Sequence, residues 1–187
     1  GEVPDDAVVS FDYYIDSEYC SVNWMDDGIS VQFDNSGRYK ITTAARINNL
    51  YIYKDIRVSV ESQGIASPIM TFDEYVYSQP LSDNASLGAH FLSARIRAWD
   101  FIQDGETTEW TITELDANGN PPDLKLQNYS SSTWANVSTS GATRANTGDR
   151  SFRLTFTAKD AQGNIIAQTS KDFRASFSTN GTLYEIS

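Results

Sequence analysis

Residues 38–60 read RYKITTAARINNLYIYKDIRVSV, and this stretch decides the fold class. Apolar side chains recur at every second position on both sides of Asn48-Asn49, as they do in a β-strand with one buried face. Asparagine tolerates the left-handed conformation that a tight hairpin turn needs. Pairing through this turn sets Ile41 opposite Ile56, so that apolar residues face apolar residues. The stretch therefore predicts an antiparallel β-hairpin.

The period of two continues along the rest of the chain. Phe152–Asp160 and Ile165–Phe177 predict a second hairpin, and Ile29–Phe33 extends the first hairpin into a three-strand meander. Further strands are predicted at Val8–Ile15, Ser21–Met25, Ile69–Tyr77, Leu124–Asn128 and Thr182–Ile186. About a dozen short strands without a sustained helical period predict an all-β fold, an antiparallel two-sheet β-sandwich built from hairpins and meanders.

Two motifs resemble those of known surface proteins. Arg150–Arg174, with the core FRLTFTAKDAQGN, resembles strand pairs of immunoglobulin-like and fibronectin-type modules in secreted bacterial surface proteins. Gly37–Ile41 is similar to the Gly-x-Tyr entry of such strands. The Cys…Trp…Cys signature of true immunoglobulin domains is absent, because Cys20 is the sole cysteine. The resemblance implies an extracellular or surface module and carries over no functional residue.

The domain count has two interpretations. We expect residues 1–187 to form a single β-sandwich unit, since one domain of this length buries a sizeable core. The alternative is two smaller immunoglobulin-like sandwiches, at 1–80 and 85–187, because Ser78–Gly88 has the composition of a linker. Gln127–Asp149 is a second irregular stretch, either a mobile segment, a functional loop or an edge strand around Trp134–Ser138.

The charge distribution excludes one class of partner. The chain has a formal net charge of −11, and nine of its 25 acidic residues lie in residues 1–37, which contain no Lys or Arg. An acidic protein without a basic patch gains nothing from neutralising phosphates, so we expect no nucleic-acid partner. No apolar run is long enough to predict a transmembrane segment. We interpret the start at Gly1 as processed or engineered, and expect an extracellular or cell-surface location, with an anchor upstream of residue 1 as one option.

A third predicted hairpin creates a candidate ligand site. Asp104-Gly105 is a strong turn signal, and its arms would be Leu92–Gln103 and Glu106–Leu115. The alternative for the first arm is a helix capped by Ser86. The hairpin register collects six side chains on one side: Trp99, Trp110, Arg95, Arg97, Phe101 and Glu114. Exposed indoles would stack on sugar rings while Arg and Glu bond hydroxyl groups, and the alternative is a Trp pair packed in the core.

A short polar segment is a candidate metal site. Oxygen-bearing side chains alternate at Asp116, Asn118, Asn120 and Asp123, as they do in a Ca²⁺ loop. Pro121 occupies the position where the EF-hand loop requires Gly, and a simple polar turn is the alternative. Ca²⁺ is the one cofactor considered.

No catalytic constellation is recognisable. His90 is the sole histidine, and no Gly-x-Ser-x-Gly pattern accompanies it. We therefore expect a non-catalytic secreted or cell-surface β-sandwich protein that binds a glycan or a surface protein. The alternatives are a structural spacer or adhesion module without a small-molecule site and, third, a carbohydrate-active hydrolase.

Overall fold

The fold is all-β and antiparallel, as predicted. A computed structural model describes residues 9–15, 19–26, 28–61, 63–76, 90–115, 124–128, 132–139, 148–178 and 181–186. Thirteen strands lie in these ranges: β1 Val9–Tyr14, β2 Cys20–Met25, β3 Gly28–Phe33, β4 Gly37–Ile47, β5 Leu50–Val60, β6 Ile69–Val76, β7 His90–Arg97, β8 Thr107–Glu114, β9 Leu124–Gln127, β10 Trp134–Thr139, β11 Gly148–Lys159, β12 Ile165–Ser178 and β13 Gly181–Ile186. Every pairing between these strands is antiparallel. Within the described ranges, no helix has the length and apolarity that a membrane crossing requires.

The chain forms two compact units. Unit 1 comprises Gly1–Gln63 together with Ala98–Phe101, and unit 2 comprises Gly64–Arg97 and Ile102–Ser187. The linker predicted at Ser78–Gly88 lies outside the described residues. The number of domains therefore stays a prediction.

Unit 1 contains the hairpin that the sequence predicts. Strands β4 and β5 pair with Ile41 opposite Ile56, and Asn48 adopts a left-handed φ of 55° at the turn. The predicted three-strand meander is wrong, because β3 pairs with β2 and β4 carries β1 on its other side. Phe33 instead packs its ring against Tyr39, with the two ring centroids 4.3 Å apart. The apolar face of β3 therefore contributes to packing around Tyr39 rather than to the pairing of β4.

A four-residue segment from the middle of the chain, Ala98–Phe101, completes unit 1. The backbone N–H of Arg38 donates to the carbonyl of Ala98 over 2.9 Å, and the N–H of Asp100 donates to the carbonyl of Arg38 over 2.9 Å. Ala98 has a left-handed φ of 57°, which ends the extended run of β7. A Cβ at Gly37 would overlap the carbonyl oxygen of Ala98, so this close backbone approach requires glycine.

Unit 2 consists of two four-stranded sheets with the orders β6-β7-β10-β9 and β13-β12-β11-β8. The predicted β11–β12 hairpin is confirmed, and the alternating residues Phe152, Leu154, Phe156 and Ala158 are fully buried. Phe72 of the first sheet contacts Phe173 of the second edge-on, with ring centroids 5.8 Å apart. Such contacts favour a sandwich, which stays a prediction.

The hairpin predicted around Asp104-Gly105 is wrong, and so is the alternative helix. His90–Arg97 is a strand that pairs with β6 and β10, whereas β8 pairs with β11. The tight turn itself forms, with a φ of 84° at Gly105. The two arms do not pair across it because the chain leaves β7 at Ala98 to join unit 1.

The strand interpretation of Trp134–Ser138 is confirmed in part. Strand β10 is present, but it lies between β7 and β9 rather than at an edge of the sheet.

Candidate ligand-binding surface

A surface concavity of about 470 Å³ lies on the β6-β7-β10-β9 sheet of unit 2. The described residues that line it are Ser93, Arg95, Ile96, Arg97, Thr133, Trp134 and Asn136. Its chemistry combines one indole, two guanidinium groups, hydroxyl groups and an amide. This combination of an aromatic wall with a few polar groups is typical of binding sites for polar small molecules.

Strand alternation places five of these side chains on one face of the sheet: Ser93, Arg95, Arg97, Trp134 and Asn136. Ile96 is 4% exposed and shares the buried face of β7 with Leu92 and Ala94. On β7, Leu92 and Ala94 are fully buried while Arg95 is exposed, and on β10 Ala135 and Val137 are fully buried. The opposite face of each strand therefore carries the polar residues and the indole. The register sets Trp134 opposite Arg95 and Asn136 opposite Ser93, so each aromatic or amide group has a polar neighbour across the strands.

Hydrogen bonds hold the entry to β10 in place beneath the concavity. The backbone N–H of Ile96 donates to the carbonyl of Thr133 over 2.8 Å. The hydroxyl of Ser132 donates to the carbonyl of Trp134 over 2.9 Å. The indole N–H of the buried Trp110 donates to the carbonyl of Ser132 over 3.2 Å. Because the backbone on either side is bonded, Trp134 presents its ring from a preorganised position with 36% of its surface exposed.

The charge of the concavity differs from that of the whole chain. The net charge of the chain is −11, yet the described lining residues carry two guanidinium groups and no carboxylate. The surface is therefore suited to a ligand that brings negative charge or hydrogen-bond acceptors.

The six residues predicted as a ligand site do not form one surface. Arg95 and Arg97 line the concavity in unit 2. Trp99 and Phe101 belong to unit 1, where the guanidinium carbon of Arg38 lies 4.3 Å and 5.6 Å from their ring centroids. The predicted pairing of Trp99 with Trp110 fails because the two arms do not form a hairpin.

Trp99 and Trp110 are core residues, so the packing alternative is confirmed for both. They are 4% and 5% exposed, respectively. Trp110 packs edge-on against Phe156, with ring centroids 5.1 Å apart, and bonds Ser132 as described above. Its link to the concavity is therefore indirect, since it positions the segment that precedes Trp134.

Glu114 serves an ion pair rather than a ligand. Arg150 donates to both of its carboxylate oxygens, from Nε over 2.7 Å and from Nη2 over 2.6 Å. The side chains of Arg150 and Glu114 are 10% and 8% exposed. A carboxylate engaged at both oxygens in this way is committed to structure.

The candidate Ca²⁺ ligands Asp116, Asn118, Asn120 and Asp123 lie outside the described residues. Ca²⁺ binding there stays a prediction.

Unit 1 has a second concavity of about 480 Å³ with a different character. Its lining includes Phe11 and Trp24, which are 72% and 62% exposed, together with Met25 and Ile29. The rings of Tyr13 and Trp24 lie 5.0 Å apart between centroids. Apolar groups predominate here, and no pair of cations accompanies them among the described lining residues, so this surface fits a polar or anionic ligand less well.

Comparison with protein-family models and with curated proteins finds no match to this chain.

Trp134 is the site residue that the sequence prediction missed. The signal was the alternation of Trp134, Asn136 and Ser138 with the small apolar residues Ala135 and Val137. Six residues are too few to distinguish a strand from a loop inside a long polar stretch, and their pairing with β7 is non-local.

Proposed function

We propose that the protein is a non-catalytic, secreted or cell-surface β-sandwich protein that binds an acidic glycan on the outer face of the β6-β7-β10-β9 sheet. One observation supports this function. Trp134 lies directly opposite Arg95 on the adjacent strand, and Arg97 lines the same concavity. Extracellular location is supported by the resemblance of the Arg150–Arg174 hairpin to modules of bacterial surface proteins.

The proposed chemistry assigns a role to each group. The indole of Trp134 stacks on the apolar face of a sugar ring, which removes apolar surface from water. The guanidinium groups of Arg95 and Arg97 bond a carboxylate or sulfate substituent, a geometry for which the planar fork of arginine is suited. Asn136 and Ser93 bond ring hydroxyl groups. A neutral glycan would stack on Trp134 and bond Asn136 and Ser93, but it would not form the charged contacts with the arginines.

Loss of the indole should abolish most of the affinity. We expect Trp134→Ala to weaken binding of an acidic oligosaccharide by about 2 kcal/mol, roughly thirtyfold in Kd, because a central aromatic anchor is removed. Titration calorimetry with a ligand selected on a glycan array provides the measurement. Trp24→Ala is the matched control, since Trp24 is an exposed tryptophan of unit 1 and should leave the affinity unchanged.

The charged contacts have their own test. We expect Arg95→Ala and Arg97→Ala each to reduce affinity, and binding by the unsubstituted protein to weaken as salt is raised, because exposed charge pairs are screened. Arg174→Ala is the control, since Arg174 is exposed and pairs with Asp149 away from the concavity. Equal binding of the same glycan after its carboxylates are reduced or its sulfates are removed would contradict the role of the arginines.

Two outcomes would favour the other functions. Absence of binding to any glycan on the array would favour a protein partner or a structural spacer. Release of reducing sugars from polysaccharides would favour a hydrolase.

A further inference from the structure

Strand β5 is a long exposed strand at the edge of the β1-β4-β5 sheet. It spans Leu50–Val60, and among the described residues it pairs with β4 alone. Five large hydrophobic side chains on it are exposed by between 43% and 66%: Leu50, Tyr51, Ile52, Tyr53 and Ile56. A long apolar edge of this kind is a template for pairing with another strand, and proteins that keep such an edge unpaired usually protect it with charges, proline or bulges.

The backbone of β5 is arranged to accept a partner strand. The two-residue turn makes Ile47 and Leu50 the closing pair of the hairpin. Even-numbered residues of β5 therefore direct their N–H and C=O groups towards β4, and odd-numbered residues direct theirs outwards. Tyr51 to Ser59 thus offer a regular ladder along the open edge.

Symmetry limits how two copies of β5 can pair. A two-fold axis between two antiparallel strands is perpendicular to the sheet. The same face of both copies therefore lies on the same side of the joined sheet. One residue therefore lies opposite itself, and all other pairs are placed symmetrically about it. A centre at Lys54, Asp55 or Arg57 sets like charges against each other, which is unfavourable for directly opposed residues.

A centre at Ile56 has the opposite effect. It places Asp55 of each copy opposite Arg57 of the other, so that two ion pairs of opposite charge flank the axis. Ile52 lies opposite Val60 on the other face, apolar against apolar. The overlap includes nearly the whole strand.

The charged side chains of β5 also make contacts within their own chain. The hydroxyl of Thr42 donates to Oδ1 of Asp55 over 2.7 Å. The guanidinium carbon of Arg57 lies 5.5 Å from the ring centroid of Phe101. Both contacts are made within one copy, to β4 and to the Ala98–Phe101 segment, and not at the open edge of β5.

We propose that β5 pairs antiparallel with β5 of a second copy of this chain, centred on Ile56, and joins two three-stranded β1-β4-β5 sheets into one continuous sheet. The charge complementarity of Asp55 and Arg57 selects this occupant. The inference is independent of glycan binding in unit 2.

Complementary charge variants test the pairing. Arg57→Asp leaves two acids on each strand, and Asp55→Arg leaves two bases, so like charges oppose each other across the axis in either variant. Each variant should therefore be monomeric in sedimentation velocity at concentrations where the unsubstituted protein is a dimer. An equimolar mixture of the two should recover the dimer, since every opposed pair is again of opposite sign. Circular dichroism confirms that each variant is folded. A monomeric unsubstituted protein, or single variants that dimerise as well as it does, would overturn the proposal.

A cysteine scan tests the register directly. Ile56→Cys should form a disulfide-linked dimer under mild oxidation, because residues opposed across the axis have Cβ atoms within disulfide reach. Lys54→Cys is the control, since its two copies lie on either side of the axis and should not crosslink. The native Cys20 is 4% exposed and contributes no background. Crosslinking of Lys54→Cys in place of Ile56→Cys would overturn this register.

Discussion

Arg150 and Glu114 form a buried ion pair in unit 2. Both carboxylate oxygens are bonded, and both side chains are almost enclosed. We expect Glu114→Ala to lower the free energy of unfolding by about 3–5 kcal/mol, because it removes the carboxylate that bonds the buried guanidinium of Arg150 twice. Urea denaturation followed by intrinsic fluorescence provides the measurement.

An exposed pair of the same type is the control. Arg153 also bonds both oxygens of Asp172, but these side chains are 49% and 44% exposed. Asp172→Ala should lower the free energy of unfolding by only about 0–1 kcal/mol, since water screens the pair. Equal losses in the two variants would show that the burial of Arg150 and Glu114 carries no energetic consequence.

At the scale of the element, the turn between β11 and β12 is organised by one carboxylate. Oδ1 of Asp160 accepts hydrogen bonds from the backbone N–H groups of Gln162 and Asn164, and Oδ2 accepts one from the side-chain amide of Asn164. The side-chain amide makes the largest contribution, and together these bonds hold the pKa of Asp160 below its ordinary value of 3.8. Because the folded-state pKa is lowered, this stabilisation is present above pH 3.8 and is lost as the pH falls through the folded-state pKa.

The effect can be measured at a single carbon. In an NMR titration we expect the Asp160 carboxyl to titrate below its ordinary pKa of 3.8, and Asn164→Ala to move that pKa upwards. The pKa of Asp172, which a hydrogen bond from Arg153 chiefly lowers, should not change in this variant. A rise in both pKa values would indicate a general change in the hairpin rather than loss of the turn.

Elements formed by neighbouring residues were predictable, and those formed by distant residues were not. The β4–β5 and β11–β12 hairpins follow from alternation and turn residues within one short stretch. By contrast, the partners of β7 are β6 and β10, and β10 lies in a polar stretch far along the chain. The end of β7 at Ala98 could not be predicted, because Ala98 adopts a left-handed conformation that alanine normally avoids.

The same reasoning explains the candidate site. Arg95 and Arg97 were predicted because strand alternation places them on one face whichever strand they pair with. The sequence predicts Trp99 as their aromatic neighbour, whereas the structure has Trp134 in that place. Trp99 follows the left-handed Ala98 that ends β7, and Trp134 lies beside Arg95 through a pairing between distant residues.

At the scale of the whole molecule, the chain leaves unit 2 at Ala98 and returns to it after Phe101. Ala98 and Asp100 form backbone hydrogen bonds with Arg38 of β4, so unit 1 is built from two separate parts of the sequence. We expect a protease site inserted between Gln63 and Gly64 to give fragments that co-elute in size-exclusion chromatography after cleavage, because Ala98–Phe101 stays bound to β4.

A substitution at the close contact is the matched control for this experiment. Gly37→Val, whose side chain would collide with the carbonyl of Ala98, should allow the cleaved fragments to separate. Gly28→Val is the comparison, since no atom lies within 4 Å of a Cβ at that position. Separation of the cleaved, otherwise unsubstituted protein would contradict the role of Ala98–Phe101.

The interior position of β10 has a consequence for the order of folding. Trp134 and Arg95 are far apart in sequence, and they become neighbours only when β10 inserts between β7 and β9. Pairing between strands distant in sequence loses loop-closure entropy before its stabilising contacts form. We therefore expect the pairing of β10 with β7 to be a slow step in folding. A nascent chain that ends before residue 134 lacks two of the residues that line the concavity, Trp134 and Asn136. The proposed glycan binding would therefore require that synthesis and folding of this sheet are complete.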